Sequence, residues 1–247
     1  MPANEAVNEG RRRFLQAAVA VGVALGPIPL AARAGAAAEP GMKVGVIGSG
    51  RIGSTLGTLW VKAGCEVMFS SRHLDEDKKL AAGLGPKAHA GTPKEAAAFG
   101  TVILISVPYS ALPQLGRDLA QELKGKVVLD TCNPIPRRDG DMAVAAQAKG
   151  TGVASPAFLP GARLVRAFTS VGYTALRSEA HRAGEKIAIP LAADDEAALK
   201  IASRLVEDAG FEPVVVGPLA RAKDFDVGTS VFGKALTARE LRRALGL

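Results

Sequence analysis

Gly48, Gly50 and Gly53 lie in the run Val44-Gly45-Val46-Ile47-Gly48-Ser49-Gly50-Arg51-Ile52-Gly53, and their spacing suits backbone held against a pyrophosphate. Gly48 allows a tight turn, Gly50 lets the main chain approach the phosphates without a Cβ, and Gly53 lets a helix pack close to a strand. The anion then rests on unpaired N–H groups at the start of that helix, with Ser49, Arg51 and Ile52 completing the loop. A bare glycine-rich turn would carry little weight. An apolar strand precedes this one and an amphipathic helix follows it, which is the setting a dinucleotide site needs.

The end of the second strand selects the dinucleotide. Proteins that take the unphosphorylated form place an acid there, about 20 residues beyond the glycines, to bond the ribose 2′-hydroxyl. This chain reads Ser70-Ser71-Arg72-His73, with no acid before Asp75. Hydroxyls and a guanidinium favour a 2′-phosphate, which arginine can hold bidentately. Ser71 and Arg72 therefore predict NADP(H) over NAD(H). Arg51 either adds to the same pocket or is solvated, and His73 is expected in solvent. Two further strand ends, Ser106-Val107-Pro108-Tyr109 and Asp130-Thr131-Cys132-Asn133-Pro134, point to the same edge. Ligands of open α/β sheets bind outside the carboxyl ends of strands. Val107 and Pro108 are expected along the ribose–nicotinamide side, and Asn133 on the carboxamide, although both sequences also suit ordinary turns.

No residue stands out as catalytic. His89 and His181 fall away from the expected nicotinamide edge. Tyr109 and Cys132 lie nearer, and a packed aromatic is the plainer reading of Tyr109. A ring-to-ring hydride transfer needs no dedicated acid or base, whereas a carbonyl or imine substrate would.

Elements that position these residues follow from alternating runs. Strands are expected at 43–47, 66–70, 101–106, 126–130, 164–168, 186–191 and 212–216. Helical patterns lie between them, at 52–63, 75–84, 93–99, 110–122, 142–148 after a loop over 131–141, 172–182 and 194–209, with mostly helical chain from 221 to the end. Thr92, Pro93 and Glu95 spell a capped helix start. This alternation predicts a doubly wound, mainly parallel α/β sheet of Rossmann type, with a C-terminal βαβ extension and a terminal helix. Residues 42–160 form the nucleotide-binding domain in this reading, and residues 161–247 complete the sheet and the substrate side.

Residues 1–38 read differently. Arg11-Arg12-Arg13-Phe14-Leu15 precedes a moderate apolar run from Ala17 to Leu30 and an alanine-rich stretch, the pattern of a cleaved twin-arginine export signal. Such a leader implies an exported or periplasmic protein. The net charge is +7. Four leader arginines against two glutamates leave about +5 afterwards. That charge is spread without a basic stripe or interleaved aromatics, so nucleic acid is not expected as a partner. Cys65 and Cys132 fall on opposite edges of the expected sheet, roughly 15–20 Å apart, too far for a disulfide. No cysteine–histidine spacing suggests a metal. Val231, Phe232 and Leu236 offer a dimer contact.

Together the glycine loop, Ser71-Arg72, Ser106-Val107-Pro108, Cys132-Asn133-Pro134, Leu164-Val165-Arg166-Ala167-Phe168 and Gly217-Pro218-Leu219 resemble the coenzyme F420-dependent NADP oxidoreductase family. The resemblance implies that Ser71 and Arg72 hold the 2′-phosphate. It implies that Val107, Pro108 and the strand around Phe168 flank the nicotinamide, with a deazaflavin coenzyme as hydride partner. The sequence departs from the family where Phe168 is followed by Thr169-Ser170. Three functions remain open at this level: an NADP(H)-dependent oxidoreductase acting on a small hydride acceptor or donor, a non-catalytic NADP(H)-binding or sensing module, and an electron donor to a metal or haem partner.

Overall fold

Strand β1 (Lys43–Ile47) enters the interior after its first residue, and β4 (Val102–Ile105) and β5 (Val127–Asp130) are buried throughout. Such unbroken apolar runs belong to strands covered on both faces. The structure is a computed structural model and describes residues 41–247. The expected leader lies outside the described residues.

One eight-stranded sheet carries the chain, ordered β3-β2-β1-β4-β5-β6-β7-β8. Between β1 and β2 (Glu66–Ser70) runs α1 (Arg51–Ala63), and between β2 and β3 (Ala88–Ala90) runs α2 (Leu74–Leu84). Helix α3 (Pro93–Phe99) returns to β4, which joins β5 through α4 (Leu112–Asp118) and α5 (Ala120–Leu123). Helices α6 (Pro136–Lys149) and α7 (Thr151–Ala154) lead to β6 (Arg163–Arg166). Helix α8 (Tyr173–Ser178) precedes β7 (Ala188–Ala192), α9 (Glu196–Asp208) links β7 to β8 (Glu212–Gly217), and α10 (Ala238–Leu245) ends the fold. Every pairing is parallel except β6 with β7, which meet antiparallel at Arg166 and Ala192. The order 3-2-1-4-5-6 is that of a doubly wound dinucleotide fold, and β7-α9-β8 is the expected βαβ extension.

Two apolar layers sandwich the sheet. One gathers Leu56, Trp60, Phe69, Leu205 and Phe211, and the other Ile105, Tyr109, Leu112, Leu123 and Val128. Helix α9 joins the first layer through Ala198, Ala202, Leu205 and Val206, all on its inner face, and Asp195 caps its start by accepting from the Ala198 amide. The Trp60 indole N–H donates to the Leu205 carbonyl at 2.8 Å, so the extension is bonded to the nucleotide-binding half.

Several expectations need correction. The helix expected over 110–122 is a 3-10 turn (Tyr109–Ala111) followed by α4 and α5, broken at Leu119. Strand β3, three residues of Ala-His-Ala, is too short to leave a pattern. The mostly helical chain expected beyond Arg221 holds only a 3-10 turn (Leu219–Asp224) and α10, because Gly228 and Gly233 adopt left-handed φ values of 91° and 78°, which a helix does not admit. Of the residues expected at a dimer contact, Val231 is buried and Leu236 half-buried. They pack inside the chain with Ala188, Val214 and Phe225 over the last two strands.

Candidate functional site

The glycine loop has the close approaches that its spacing predicts. Gly48 sits at φ 96°, and a Cβ there would lie 2.2 Å from the Ser106 carbonyl oxygen. At Gly53 it would lie 2.1 Å from the Gly48 carbonyl oxygen. At Gly50 it would meet nothing within 4 Å, because this residue borders the open cleft. The Gly48 and Ser49 amides donate to the Ser70 carbonyl at 2.8 and 3.1 Å, fastening the loop to the end of β2.

Two clefts adjoin along the carboxyl ends of the strands. The first, of about 380 Å³, is bounded by Gly48, Gly50, Ser71, Arg72, His73 and Val107. The second, of about 320 Å³, is bounded by Gly50, Arg51, Val107, Pro108, Asn133 and Arg138. Ile52 also borders the second cleft. Gly50, Val107 and Pro108 belong to both. A dinucleotide laid across the glycine loop thus has an adenosine end at Ser71-Arg72 and a nicotinamide end at Asn133.

At the adenosine end the serines are committed. Ser70 donates to the Val46 carbonyl at 2.8 Å. Ser71 donates to Asp77 at 2.7 Å, and Ser49 donates to the other oxygen of the same carboxylate. Ser71 also accepts the His73 amide at 3.0 Å. Arg72 is exposed and makes no ion pair among the described residues, so its guanidinium is the side chain here with donors to spare. His73 is exposed, as expected. Asp77 is 3% exposed and is the third acid in the run that begins at Asp75. The available signal was position: Leu74, Asp77 and Ala81 share one helix face, so Asp77 puts a charge on the face α2 turns inward.

The nicotinamide end is held from beneath. Arg166 is wholly buried, pairs with Asp130 at 2.6 Å and Asp226 at 3.6 Å, and donates to the Cys132 carbonyl at 3.0 Å. Burial alone would lower its pKa, and the two carboxylates reverse that, so it stays charged. Asp226 in turn accepts the amide and hydroxyl of Thr151 at 2.8 and 2.5 Å. Above this network the Asn133 amide group donates to the Thr169 carbonyl at 2.8 Å, leaving its Oδ1 buried without a partner. An orphaned acceptor at that place fits a ligand carboxamide donor. Arg138 donates to the Asn133 carbonyl at 2.7 Å and pairs with Asp139. Burial would raise the Asp139 pKa, but Arg138, the Ile135 and Ser110 amides and the Ser110 hydroxyl outweigh it and hold it down at about 2. Arg51 reaches the other way and stacks over Tyr173, 5.0 Å from the ring centre. Neither Arg138 nor Tyr173 stood out in the sequence.

The remaining candidates are structural. Tyr109 is fully buried, bonds Ser155 at 3.2 Å and has its pKa pushed up to about 12, mainly by burial. The Cys132 thiol is buried and driven well above its usual range by desolvation, with its sulfur against the Ile105 carbonyl. Both cysteines are free. The Phe168 ring turns from the nicotinamide edge into the core, edge-on to Trp60 and Phe211 at 6.2 and 6.3 Å. Among the described residues no group of three His, Cys, Asp or Glu could hold a metal. No helix there is long and apolar enough to cross a membrane.

Fold and loop together define the class, a Rossmann domain that binds NADP(H). Residues 43–134 match the family described as NADP oxidoreductase coenzyme F420-dependent. The chain is 29% identical over 188 residues to the metalloreductase STEAP3 of Rattus norvegicus, a match that covers 74% of this chain and 36% of that protein. It therefore spans about a third of that relative's length. Among solved structures, the hypothetical protein SMa0349 of Sinorhizobium meliloti superposes with a TM-score of 0.67 at 21% identity, covering 80% of this chain and 95% of that one. A protein from Arthrobacter sp. FB24, provisionally described as an F420-dependent NADP-reductase, gives 0.64 at 18% identity, covering 80% and 100%. These two likenesses establish the fold.

Proposed function

We propose that the chain is an NADP(H)-dependent oxidoreductase whose second substrate is a flat organic ring of deazaflavin or flavin type. The carrying observation is the lining of the nicotinamide cleft. Gly50, Arg51, Ile52, Ser106, Val107, Pro108, Thr131, Asn133 and Arg138 border it, and the Thr131 hydroxyl is spent on the Ile105 carbonyl. None of these is a carboxyl, imidazole, thiol or phenol that could pass a proton at neutral pH. A carbonyl or imine substrate needs such a group, and a ring that takes hydride directly does not.

The nicotinamide supplies or accepts the hydride, and the protein positions it. Arg72 binds the 2′-phosphate, the loop amides at the start of α1 bind the pyrophosphate, and Asn133 orients the carboxamide through its unpartnered oxygen. Val107 and Pro108 present an apolar, water-excluding edge to the ring. Fixing two flat reactants at near-attack distance accounts for much of the barrier lowering such a transfer needs.

The leader pattern of residues 1–38 supports export by the twin-arginine route. That route moves folded protein, so NADP(H) travels bound and leaves slowly. Rapid exchange in a dissociation assay would defeat this part of the reading.

The test of function is single-turnover oxidation of bound NADPH by deazaflavin, flavin, quinone and ferric acceptors, followed by loss of nicotinamide absorbance. Oxidation by the deazaflavin or flavin supports the proposal. Inertness to all four would leave a sensing or carrier module. Oxidation by ferric acceptors alone would favour an electron donor to metal, the activity named in the STEAP3 relative.

A further inference from the structure

We propose that Asp77 sets the choice between NADP(H) and NAD(H), acting against Arg72 and through the hydroxyls of Ser49 and Ser71. The inference deepens the proposed function and rests on a dinucleotide occupying the cleft.

A serine hydroxyl has one proton to give and two lone pairs with which to accept. Ser49 and Ser71 both give that proton to Asp77, and Ser70 gives its own to the Val46 carbonyl. Ser71 has also filled one lone pair with the His73 amide. Ser70 is fully buried, and toward the cleft that Ser71 lines the other two hydroxyls thus offer acceptors only. A phosphate monoester near neutral pH is itself rich in acceptors and carries up to two charges, so it finds no partner in them. A ribose 2′-hydroxyl can donate, and it does find one. Five positions beyond Arg72 in the sequence, the buried Asp77 carboxylate restores through two serines the preference that an acid at the strand end would impose directly.

Asp77 can act as a selector because its ties are all neutral. Its carboxylate accepts only the Ser49 and Ser71 hydroxyls and pairs with no cation among the described residues. A phosphate seated on Ser71 would lie about two hydrogen-bond lengths, roughly 5–6 Å, from a like charge. Turning either hydroxyl toward the phosphate would also strip a donor from a buried carboxylate. Arg72, exposed and free to form a fork on phosphate, pulls the other way. The balance leaves a protein that binds both dinucleotides, with a modest preference for the phosphorylated one.

Asp77→Asn tests this with little change of shape. A carboxamide accepts from one serine and donates to the other, so one hydroxyl proton turns toward the ligand and the charge is gone. Dissociation constants for NADPH and NADH on the purified full chain are the measurement. The expected result is a rise of at least threefold in the NADPH:NADH affinity ratio, with NADH itself changed less than twofold. A smaller rise, or a shift toward NADH, overturns the assignment. Should D77N fail to fold, Ser71→Ala decides alone. S71A removes the acceptor that Ser71 offers the ribose hydroxyl, so the NADPH:NADH affinity ratio should rise at least twofold, and an unchanged or falling ratio overturns the assignment. Wild-type chain that binds neither dinucleotide refutes the proposed function itself, a result distinct from an unchanged ratio.

Discussion

Asp77 and Asp139 hold the same place at opposite ends of the cleft. Each is the fourth residue of the helix that follows a strand end, α2 after β2 and α6 after β5, and each is buried, at 3% and 7% exposure. Their partners differ. Asp139 collects a guanidinium and the amides of Ser110 and Ile135, with the Ser110 hydroxyl in addition. Asp77 collects two hydroxyls. Amides have no other direction in which to point, whereas hydroxyls rotate. The carboxylate at the nicotinamide end is therefore a fixed strut, and the one at the adenosine end is poised to respond to what binds. One residue type in one helical position becomes scaffold or selector according to whether its donors can turn away.

The contrast is broken most severely by removing what lies beneath the nicotinamide end. Arg166→Ala leaves Asp130 and Asp226 buried without their cation and frees the Cys132 carbonyl. Breaking a buried pair from one side costs about 3–5 kcal/mol, to be read as loss of unfolding free energy in urea. A loss below about 1 kcal/mol would mean that the network does not hold this end rigid. Asp139→Ala comes next, at about 2–3 kcal/mol, since two amides and a guanidinium lose their acceptor. On folded protein, NADPH affinity in D139A should stay within threefold. Asp77→Ala should cost about 1 kcal/mol or less, because freed hydroxyls find water. Equal losses in the two alanine variants would erase the distinction between strut and selector.

Acid sharpens the same distinction. Against the raising effect of burial, Arg138, Ile135 and Ser110 hold the Asp139 carboxyl down at about 2 in the folded chain, below the ordinary 3.8. A depressed carboxyl stabilises fully above its unfolded pKa, and the contribution fades as pH falls through 3.8 toward 2. That depression corresponds to about 2 kcal/mol. The readout is the stability difference between wild type and Asp139→Asn, which should be full at pH 6, about half as large at pH 3 and closed only below about pH 2. Taking the difference cancels Asp195, which Arg163 holds well down and which fades over the same range. A difference that stays constant with pH would show that Asp139 acts through shape and not charge.

What the sequence disclosed follows the strength of local signals. The glycine loop is dictated by close approaches within ten residues, so its spacing predicted the turn, the open side at Gly50 and the packing at Gly53. The strands β1, β4 and β5 were legible because they are buried on both faces and read as unbroken apolar runs. The capped start of α3 was legible for a similar reason: Thr92 and Glu95 satisfy each other within four residues. Asp77 was not legible in the same way. Its meaning depends on Ser49, which is 28 positions away, and the sequence shows only a run of acids at a helix start. The orphaned Asn133 oxygen likewise depends on Thr169, 36 positions on. Ser71-Arg72 reads as a phosphate clamp until the fold reveals where the serine proton goes.

Arg72→Asp leaves stability aside and bears most directly on the adenosine end. Arg72 is exposed, so the phosphate pair it forms is partly screened by solvent and salt, and only the bidentate fork lifts it above an ordinary surface contact. Reversal to Asp removes the fork and adds repulsion of the 2′-phosphate. NADPH affinity should fall at least tenfold, about 1.4 kcal/mol, while NADH affinity holds within twofold. Arg72→Ala should lose less, and its deficit should shrink as salt rises, because screening weakens what the arginine supplied to the wild type. Arg72 is the donor-rich side chain that the serines are not, so an NADPH affinity untouched by R72D would leave the phosphate without a side-chain partner. The strand end of β2 would then be a ribose-hydroxyl site governed by Asp77 alone.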